Sequence, residues 1–289
     1  MPSLIEIRRR IRSVKNTQQI TKAMKMVSAA KLRRAQDRVI AARPYAQMLE
    51  HIVRDLACAA AGTDIVESHP LLACRPENKI QLVVVTADTG LAGGFNSNVI
   101  KLSQRFVAEH ASAEVILELV GRKGRDFFRR RNAKVSGEHT TLFMRGSVEA
   151  APARAIAKEL VDRFTKAEVD AVYIAVNHFK SVLASTLVIQ KILPVELPQG
   201  GEDVGNYIFE QPAGDLLAQA LPRYVENQIF RAMLESAAAY NAARMTAMDA
   251  ATRNAGEMID KLTLNMNRVR QASITREIIE IVSGAAALG

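Results

Sequence analysis

The two ends of the chain are almost free of glycine and proline, and this feature constrains the fold more than any other. Between residues 4 and 56 the only helix breaker is Pro44, and between residues 215 and 283 the breakers are Pro222 and Gly256. Segments with so few breakers are predicted to be single helices of roughly 80 Å and 100 Å, at about 1.5 Å per residue. Whether Pro44 kinks the first helix is left open.

Both segments carry apolar residues at steps of three and four, which is the spacing of one helix face. The first predicted stripe is Leu4, Ile7, Ile11, Val14, Ile20, Met24, Val27, Leu32, Ala35, Val39 and Ala42. The second is Ile229, Met233, Ala237, Tyr240, Arg244, Met248, Ala251, Ala255, Met258, Leu262, Met266, Val269 and Ser273. Its mean step of about 3.7 residues favours a shallow supercoil. We therefore predict an antiparallel coiled coil of the two ends.

Between the ends the hydrophobic period changes to that of an α/β protein. Residues 79–198 contain the strand-like runs IQLVVVTA, EVILELVG, VDAVYIAVNHF and STLVIQKILPVEL, separated by amphipathic helical segments. The predicted fold is a small Rossmann-like α/β domain with parallel strands, placed between the long helices. The predicted spans are 1–60 for the first helix, 79–198 for the domain, 199–214 for a linker and 215–289 for the last helix.

Positive charge is concentrated at the N-terminus. Residues 1–43 hold twelve Lys or Arg against two acidic residues, a net charge of +10, while the whole chain carries +9. Such an excess predicts that this element faces an acidic surface, although a solvated helix face is the simpler alternative. No aromatic residue precedes Tyr45 for stacking on bases, so a protein surface is favoured over nucleic acid. The basic face comprises Arg8, Arg9, Arg10, Arg33 and Arg34.

A glycine-rich loop, GLAGGFN at residues 90–96, lies between a predicted strand and a predicted helix, where phosphate-binding loops occur. Its pattern differs from the dinucleotide-binding fingerprint and lacks the ending of a P-loop. We favour a structural role, in which Asp88 begins a turn and Gly90, Gly93 and Gly94 supply positive φ or close packing. A nucleotide-binding enzyme built on residues 79–198 is the alternative.

The sequence predicts no catalytic, cofactor or metal site. Cys58 and Cys74 lack the spacing of a zinc or redox site, and the five histidines lack short ligand spacing. No nucleophile motif such as G-x-S-x-G occurs. No apolar run has the length of a membrane span or a signal peptide, so we expect the chain to stay on the cytosolic side.

Four segments resemble the gamma subunit of F-type ATP synthases. They are IRRRIRSVKNTQQITKAMKMVSAAKLRRAQ at residues 7–36, GLAGGFN at 90–96, ARMTAMDAATRNA at 243–255 and RQASITREIIEIVSGAAAL at 270–288. The resemblance spans the whole chain in the same order, and the Ile-Thr-x-Glu run in the last segment is its most specific signature. The family often has Arg before Gly-Leu, where this chain has Thr89.

The resemblance implies a central rotor shaft without cofactors or bond chemistry of its own. The foot would contact the c-ring and the epsilon subunit, and the coiled coil would enter the hexamer of alpha and beta subunits. The chain would be peripheral to the cytoplasmic face of a bacterial inner membrane and bind no nucleic acid. Positions that match contacts with beta subunits or the opposite helix are Met24, Arg244, Gln271, Thr275 and Glu277. Positions that match the family's foot-domain loop are Asp88, Gly90, Gly93, Gly94 and Asn96.

Two further expectations concern the last helix. Arg244 and Gln271 are polar residues in an apolar seam, so we expect each to hydrogen-bond to a partner. If both helices start level, the last one projects roughly 24 Å beyond Leu4. Its small apolar end, after Ser283, is expected to act as a bearing inside an apolar sleeve.

Overall fold

The computed structural model describes residues 3–60, 69–143, 148–181, 184–196 and 210–286. Their helices are α1 (Leu4–Ala59), α2 (Phe95–Glu109), α3 (Arg122–Arg129), α4 (Ala150–Thr165) and α5 (Ala213–Ala286). Their strands are β1 (Lys79–Val85), β2 (Glu114–Val120), β3 (Val135–His139), β4 (Ala171–Phe179) and β5 (Ser185–Leu193). The two predicted long helices are thereby confirmed, with an α/β sheet between them in sequence.

The chain divides into two compact units, each of which contains part of α1 and part of α5. Met1–Ser28 and Arg244–Gly289 form the helical unit, and Ala29–Ala243 form the sheet unit. Both long helices continue through their internal prolines, Pro44 and Pro222. The predicted linker at 199–214 lies outside the described residues as far as residue 209, and the predicted domain spans stay predictions.

The sheet unit contains a five-stranded sheet in the order β3-β2-β1-β4-β5. Strands β1 to β4 are parallel and β5 pairs antiparallel with β4. The central strand β1 is buried from Ile80 to Val85, as its run of apolar residues, interrupted only by Gln81, predicts for a strand covered on both faces. Helices α2 and α3 cover one face, where Leu82 and Leu117 pack against Phe106 and Phe128.

Two elements of the sheet unit were not predicted from the sequence. Helix α3 has eight residues and includes Gly124, and strand β3 contains Gly137 and three polar residues. Neither has the length or apolar period that a sequence pattern needs. Pairing with β2 and packing of Phe128 into the core stabilise them, and these are tertiary effects.

In the helical unit the seam of α1 differs from the predicted stripe. Ile20 and Val27 are 58% and 55% exposed, whereas Thr21 and Ser28 are buried. The buried and half-buried positions continue from Val14 in alternating steps of three and four, which is the coiled-coil repeat. The sequence interpretation followed apolar residues and skipped the polar positions of the seam. In α5 the predicted stripe residue Met258 is likewise 52% exposed.

Direct contacts define the direction and register of the two helices in this unit. The side-chain amide of Gln18 donates to the carbonyl oxygen of Thr252 at 3.5 Å, and Lys25 Nζ lies 2.5 Å from Asp249 Oδ1. The helices therefore run antiparallel, as predicted. This register extends α5 beyond Leu4 by roughly four to five turns, in agreement with the predicted projection.

Candidate functional site

The loop between β1 and α2 is held by the side chain of Asn96. Its Oδ1 accepts a hydrogen bond of 2.9 Å from the backbone N–H of Ala87, and its Nδ2 donates to the Thr89 carbonyl oxygen at 3.4 Å. Gly93 has a φ of 55°, which explains a glycine there. Gly90 has no such requirement, because an added Cβ atom would make an ordinary 3.7 Å contact. The sequence interpretation was wrong on that position.

Asp88 fixes the loop to neighbouring segments of the sheet unit. Its carboxylate is 4% exposed and accepts hydrogen bonds from the backbone N–H groups of Arg122, Thr141 and Phe143. The distances are 3.1, 2.8 and 3.0 Å. Three donors satisfy a buried carboxylate, so Asp88 does more than begin a turn. It ties the end of β1 to the segments that follow β2 and β3.

The same loop packs against α5. Ala92 and Phe95 form a buried cluster with Ala239 and Tyr240, and the two rings meet edge to face at 5.6 Å between centroids. The Thr89 hydroxyl also forms a hydrogen bond with the Tyr240 hydroxyl. Thr89, the position where this sequence departs from the resembling family, thus makes its own contact with α5.

A second polar contact joins the sheet to α5. Glu235 is 6% exposed; one carboxylate oxygen contacts His178 Nδ1 on β4, and the other accepts from Arg231 Nε at 2.9 Å. Burial raises the pKa of Glu235, but the hydrogen bonds and charges of His178 and Arg231 outweigh it and leave this pKa below its usual value. We define Thr89, His178, Glu235 and Tyr240 as the sheet–helix clamp.

Strand β2 contains a buried carboxylate, Glu118, on the same face of the sheet as His178. Glu118 is 1% exposed, and its oxygens lie 2.6 Å from His139 Nε2 and 2.5 Å from the Ser136 hydroxyl. Gln81 Nε2 donates to it at 3.0 Å. Burial raises the pKa of Glu118, but these hydrogen bonds and nearby positive charge outweigh it and lower the pKa overall. The sequence signal was a single Glu inside a buried strand.

The Glu118 network also has the spacing of a cation site. Ligand atoms of Glu118, His139 and Glu159 lie within 4.8 Å of one another. However, Arg163 Nη1 already lies 3.7 Å from Glu118 Oε2, and the bonds from Ser136 and His139 occupy the same carboxylate. These partners explain the burial of Glu118 as a structural network.

In the helical unit a polar layer crosses the seam. The Thr252 hydroxyl lies 2.8 Å from the Thr21 hydroxyl and 2.7 Å from the Met248 carbonyl oxygen, and its one proton is shared between these two acceptors. Thr21 is 8% exposed and donates in turn to the carbonyl oxygen of Gln18 at 3.0 Å. A satisfied polar layer of this kind specifies the register in which two helices pair.

The sequence of this chain is similar to sequences of known proteins over almost its whole length. A family model described as ATP synthase matches residues 3–288. The ATP synthase gamma chain of Solibacter usitatus is 59% identical over 99% of both chains. That of Pelotomaculum thermopropionicum is 49% identical over 100% of both chains. The chain belongs to the ATP synthase gamma chain family.

Solved structures support the fold of this family member. A chain of the Euglena gracilis mitochondrial ATP synthase, OSCP/F1/c-ring in rotational state 3, is similar with a TM-score of 0.67 at 16% identity. The similarity covers 99% of this chain and 94% of that one. A chain of the Tetrahymena thermophila central stalk and c-ring structure has a TM-score of 0.59 at 23% identity, over 80% and 99%.

The positions matched to the gamma family by motif fall into two groups. Met24 and Arg244 are half-buried in the helical unit, whereas Gln271, Thr275 and Glu277 are exposed. Gln271 does not lie in the seam of the described chain, because its side chain is exposed while Val269 and Ser273 on either side of it are half-buried. The Thr275 hydroxyl donates to the Gln271 carbonyl oxygen at 2.9 Å, and Ser273 donates to Glu277 at 3.2 Å.

The basic face and the end of α5 are both open to solvent. All five basic-face residues are exposed, and Arg10 pairs with Glu6 at 3.2 Å. Apolar side chains are also exposed on the last turns of α5, where Ile281 and Val282 are 71% and 61% exposed. Among the described residues, none of the helices combines the length and the hydropathy needed to span a membrane.

Proposed function

We propose that the chain is the central rotor shaft of a bacterial F-type ATP synthase and performs no bond chemistry itself. The observation that carries this proposal is α5, which holds the sheet through the clamp at Glu235 and Tyr240 and continues uninterrupted to an exposed apolar end. From the clamp residue Glu235 to Ala286, α5 contains no proline that would remove a backbone hydrogen bond, and a continuous helix fixed to a domain transmits rotation along its axis.

The proposed partners are the c-ring and epsilon subunit at the sheet unit, and the alpha and beta subunits at the helical unit. The similar solved structures are of a central stalk with a c-ring and of an F1 with a c-ring, which supports this assignment. The chain would then be peripheral to the cytoplasmic face of the inner membrane.

We assign individual residues to contacts with the partner subunits or between the two helices according to how exposed their side chains are. Gln271, Thr275 and Glu277 are available on α5, so we assign them to the beta subunits. The exposed basic face on α1 suits an acidic surface of the hexamer. Met24 and Arg244, which are half-buried, are assigned to contact between the helices.

A nucleotide-binding enzyme is the rival function, and the loop at residues 90–96 would have to serve it. The side chain of Asn96 is hydrogen-bonded to the loop's own backbone, and that of Asp88 is hydrogen-bonded to neighbouring segments. These side-chain groups are therefore already engaged within the protein. Calorimetry of the full chain with ATP, ADP and NAD separates the two functions. Micromolar affinity for any of them, lost in Gly93→Val, would favour the rival.

The decisive experiment is rotation of the assembled complex. Replacing Cys58 and Cys74 by Ala and placing Lys101→Cys on exposed α2 gives a single attachment point for a bead, with the hexamer fixed to glass. ATP should then turn the bead continuously in one direction. ATP hydrolysis by an intact complex with a bead that does not turn would contradict the rotor proposal.

The clamp offers a matched pair of variants for the same assay. Tyr240→Ala removes the aromatic contact with Phe95 and the bond to Thr89, so the torque at which the bead stalls should fall. The control is Tyr45→Ala, which removes an exposed tyrosine of α1 outside the clamp. It should leave the stall torque unchanged. If the stall torque is the same in Tyr240→Ala and Tyr45→Ala, the clamp does not transmit torque.

A further inference from the structure

A cleft of about 310 Å³ opens in the sheet unit between α2, α3 and the first residues of β2. Its floor is apolar: the accessible surface comes from Val107, Val115 and Ala133, which are half-buried, and Leu117 and Phe128 beside them are almost fully buried. Such a floor favours an apolar ligand, since it offers aliphatic and aromatic surface without hydrogen-bonding groups.

The polar groups of the cleft lie at its rim. They belong to Gln104, Arg131 and Lys134, and all three residues are exposed. The Arg131 guanidinium carbon lies 3.8 Å from the centre of the Phe127 ring, and a stacked guanidinium keeps its N–H edge for an acceptor. Lys134 Nζ pairs with Glu114 at 2.8 Å, but an exposed ion pair is weak and exchanges readily.

The surroundings of the rim are strongly basic. Residues 122–134 contain seven Lys or Arg and one acidic residue, Asp126. Arg129 and Arg130 are exposed next to the rim residue Arg131. A concentration of one charge beside an apolar cleft raises the local concentration of anions.

We propose that this cleft binds the anion of a medium-chain fatty acid. The carboxylate contacts Arg131 and Lys134, and the aliphatic tail lies along the half-buried Val107, Val115 and Ala133. The volume is at the lower end of the range for small-ligand pockets, which suits one chain rather than the two of a phospholipid. This site is separate from the clamp and from the helical unit, and it does not depend on the rotor function.

A tryptophan reporter tests the site directly, because the full chain contains no Trp. Gln104→Trp places one at the rim, and decanoate below its micelle-forming concentration should shift the emission to the blue with saturation. Each methylene added up to the length of the cleft should tighten binding by roughly fourfold. Lys101→Trp on the same helix is outside the lining and should show no shift. If Gln104→Trp disturbs folding, Ala108→Trp supplies another rim reporter.

Charge variants in the reporter background distinguish a site from a general basic surface. Arg131→Gln with Lys134→Gln should weaken decanoate binding roughly tenfold, as expected for lost bonds to a charged group. Arg129→Gln, exposed and outside the lining, should leave it within twofold. Equal loss in Arg129→Gln, an equal shift with decyltrimethylammonium, or no shift with decanoate would overturn the proposal. Phosphatidylglycerol vesicles that shift the reporter when decanoate does not would identify a membrane surface instead and also overturn it.

Discussion

Gln18 on α1 faces Gly256 on α5 so closely that a Cβ atom added to Gly256 would lie 3.2 Å from the Gln18 side-chain nitrogen. That nitrogen donates a long hydrogen bond of 3.5 Å to the carbonyl oxygen of Thr252. A glycine in the middle of a helix costs about 1 kcal/mol relative to alanine. Apart from the helix's own backbone and the two chain neighbours, the flexible end of Gln18 is the only group of the described residues within 4 Å of that added atom.

We therefore expect Gly256→Ala to stabilise the helical unit by about 0.5 kcal/mol, because the helix gains more than the long hydrogen bond loses. Urea unfolding followed by circular dichroism measures the change. In a Gln18→Ala background the gain should approach about 1 kcal/mol. A destabilisation in both backgrounds would show that the backbone at Gly256, and not Gln18, requires glycine.

Gly137 on β3 is predicted to be intolerant of any side chain. An added Cβ atom would lie 2.0 Å from Glu118 Oε1, and that carboxylate is held by Ser136, His139 and Gln81. Gly137→Ala should cost about 3 kcal/mol in the free energy of unfolding, since either the strand or the network must move.

The neighbouring exposed residue supplies the control for Gly137. Glu138→Ala should change the stability by less than about 0.5 kcal/mol. The double variant Gly137→Ala with Glu118→Ala should be no less stable than Glu118→Ala alone. Additive losses in the double variant would argue against the contact between Gly137 and the carboxylate.

Elements with a regular hydrophobic period could be predicted from the sequence, whereas features that depend on tertiary packing could not. The long helices and four of the five described strands follow from breaker-free segments and apolar runs. The seam through Thr21 and Ser28 did not, because their burial is set by the partner helix and not by their polarity. Ser136 lies 18 positions from Glu118 and His178 lies 57 positions from Glu235, and a pattern within one segment does not reveal such partners.

Tyr173 is predicted to ionise late. Its hydroxyl donates to both oxygens of Glu77, at 3.0 and 2.9 Å, and burial together with this bond raises the pKa of Tyr173 to about 12. Because the folded pKa is raised, the stability from this contact is complete below the ordinary value of 10.0 and is lost as the pH rises through 12. Ultraviolet titration of tyrosinate in the folded chain should show a late step that Tyr173→Phe removes. Retention of that step would assign it elsewhere.

The stabilisation contributed by the Glu235 carboxylate is predicted to be lost in acid. Its pKa is depressed by His178 and Arg231 against the effect of burial, so its contribution is present above the ordinary value of 4.5. This contribution is lost as the pH falls through the folded pKa. The difference in unfolding free energy between the parent chain and Glu235→Gln should therefore shrink below about pH 4.5. A difference that stays constant to lower pH would exclude a role for this ionisation.

The last prediction concerns the exposed end of α5. Ile274, Ile278 and Ile279 are 47%, 55% and 57% exposed, and Ile281 and Val282 are more exposed still. A run of exposed apolar side chains on a helix end requires a receiving surface, which the rotor proposal supplies as an apolar sleeve of the hexamer. Five of the six residues from Gly284 onwards are Gly or Ala, and such small side chains offer little for a wall to interlock with.

Removing residues 284–289 should therefore lower the yield of assembled complex modestly and leave ATP-driven proton pumping per assembled complex almost unchanged. Cutting back through Thr275 and Glu277 should reduce both, because the exposed isoleucines and the proposed beta contacts are then lost together. Ile281→Ser with Val282→Ser keeps the length of the helix and should reproduce the assembly loss without the pumping loss. Complete loss of pumping in an assembled complex that lacks only residues 284–289 would contradict the bearing, since it would mean that the last residues transmit torque.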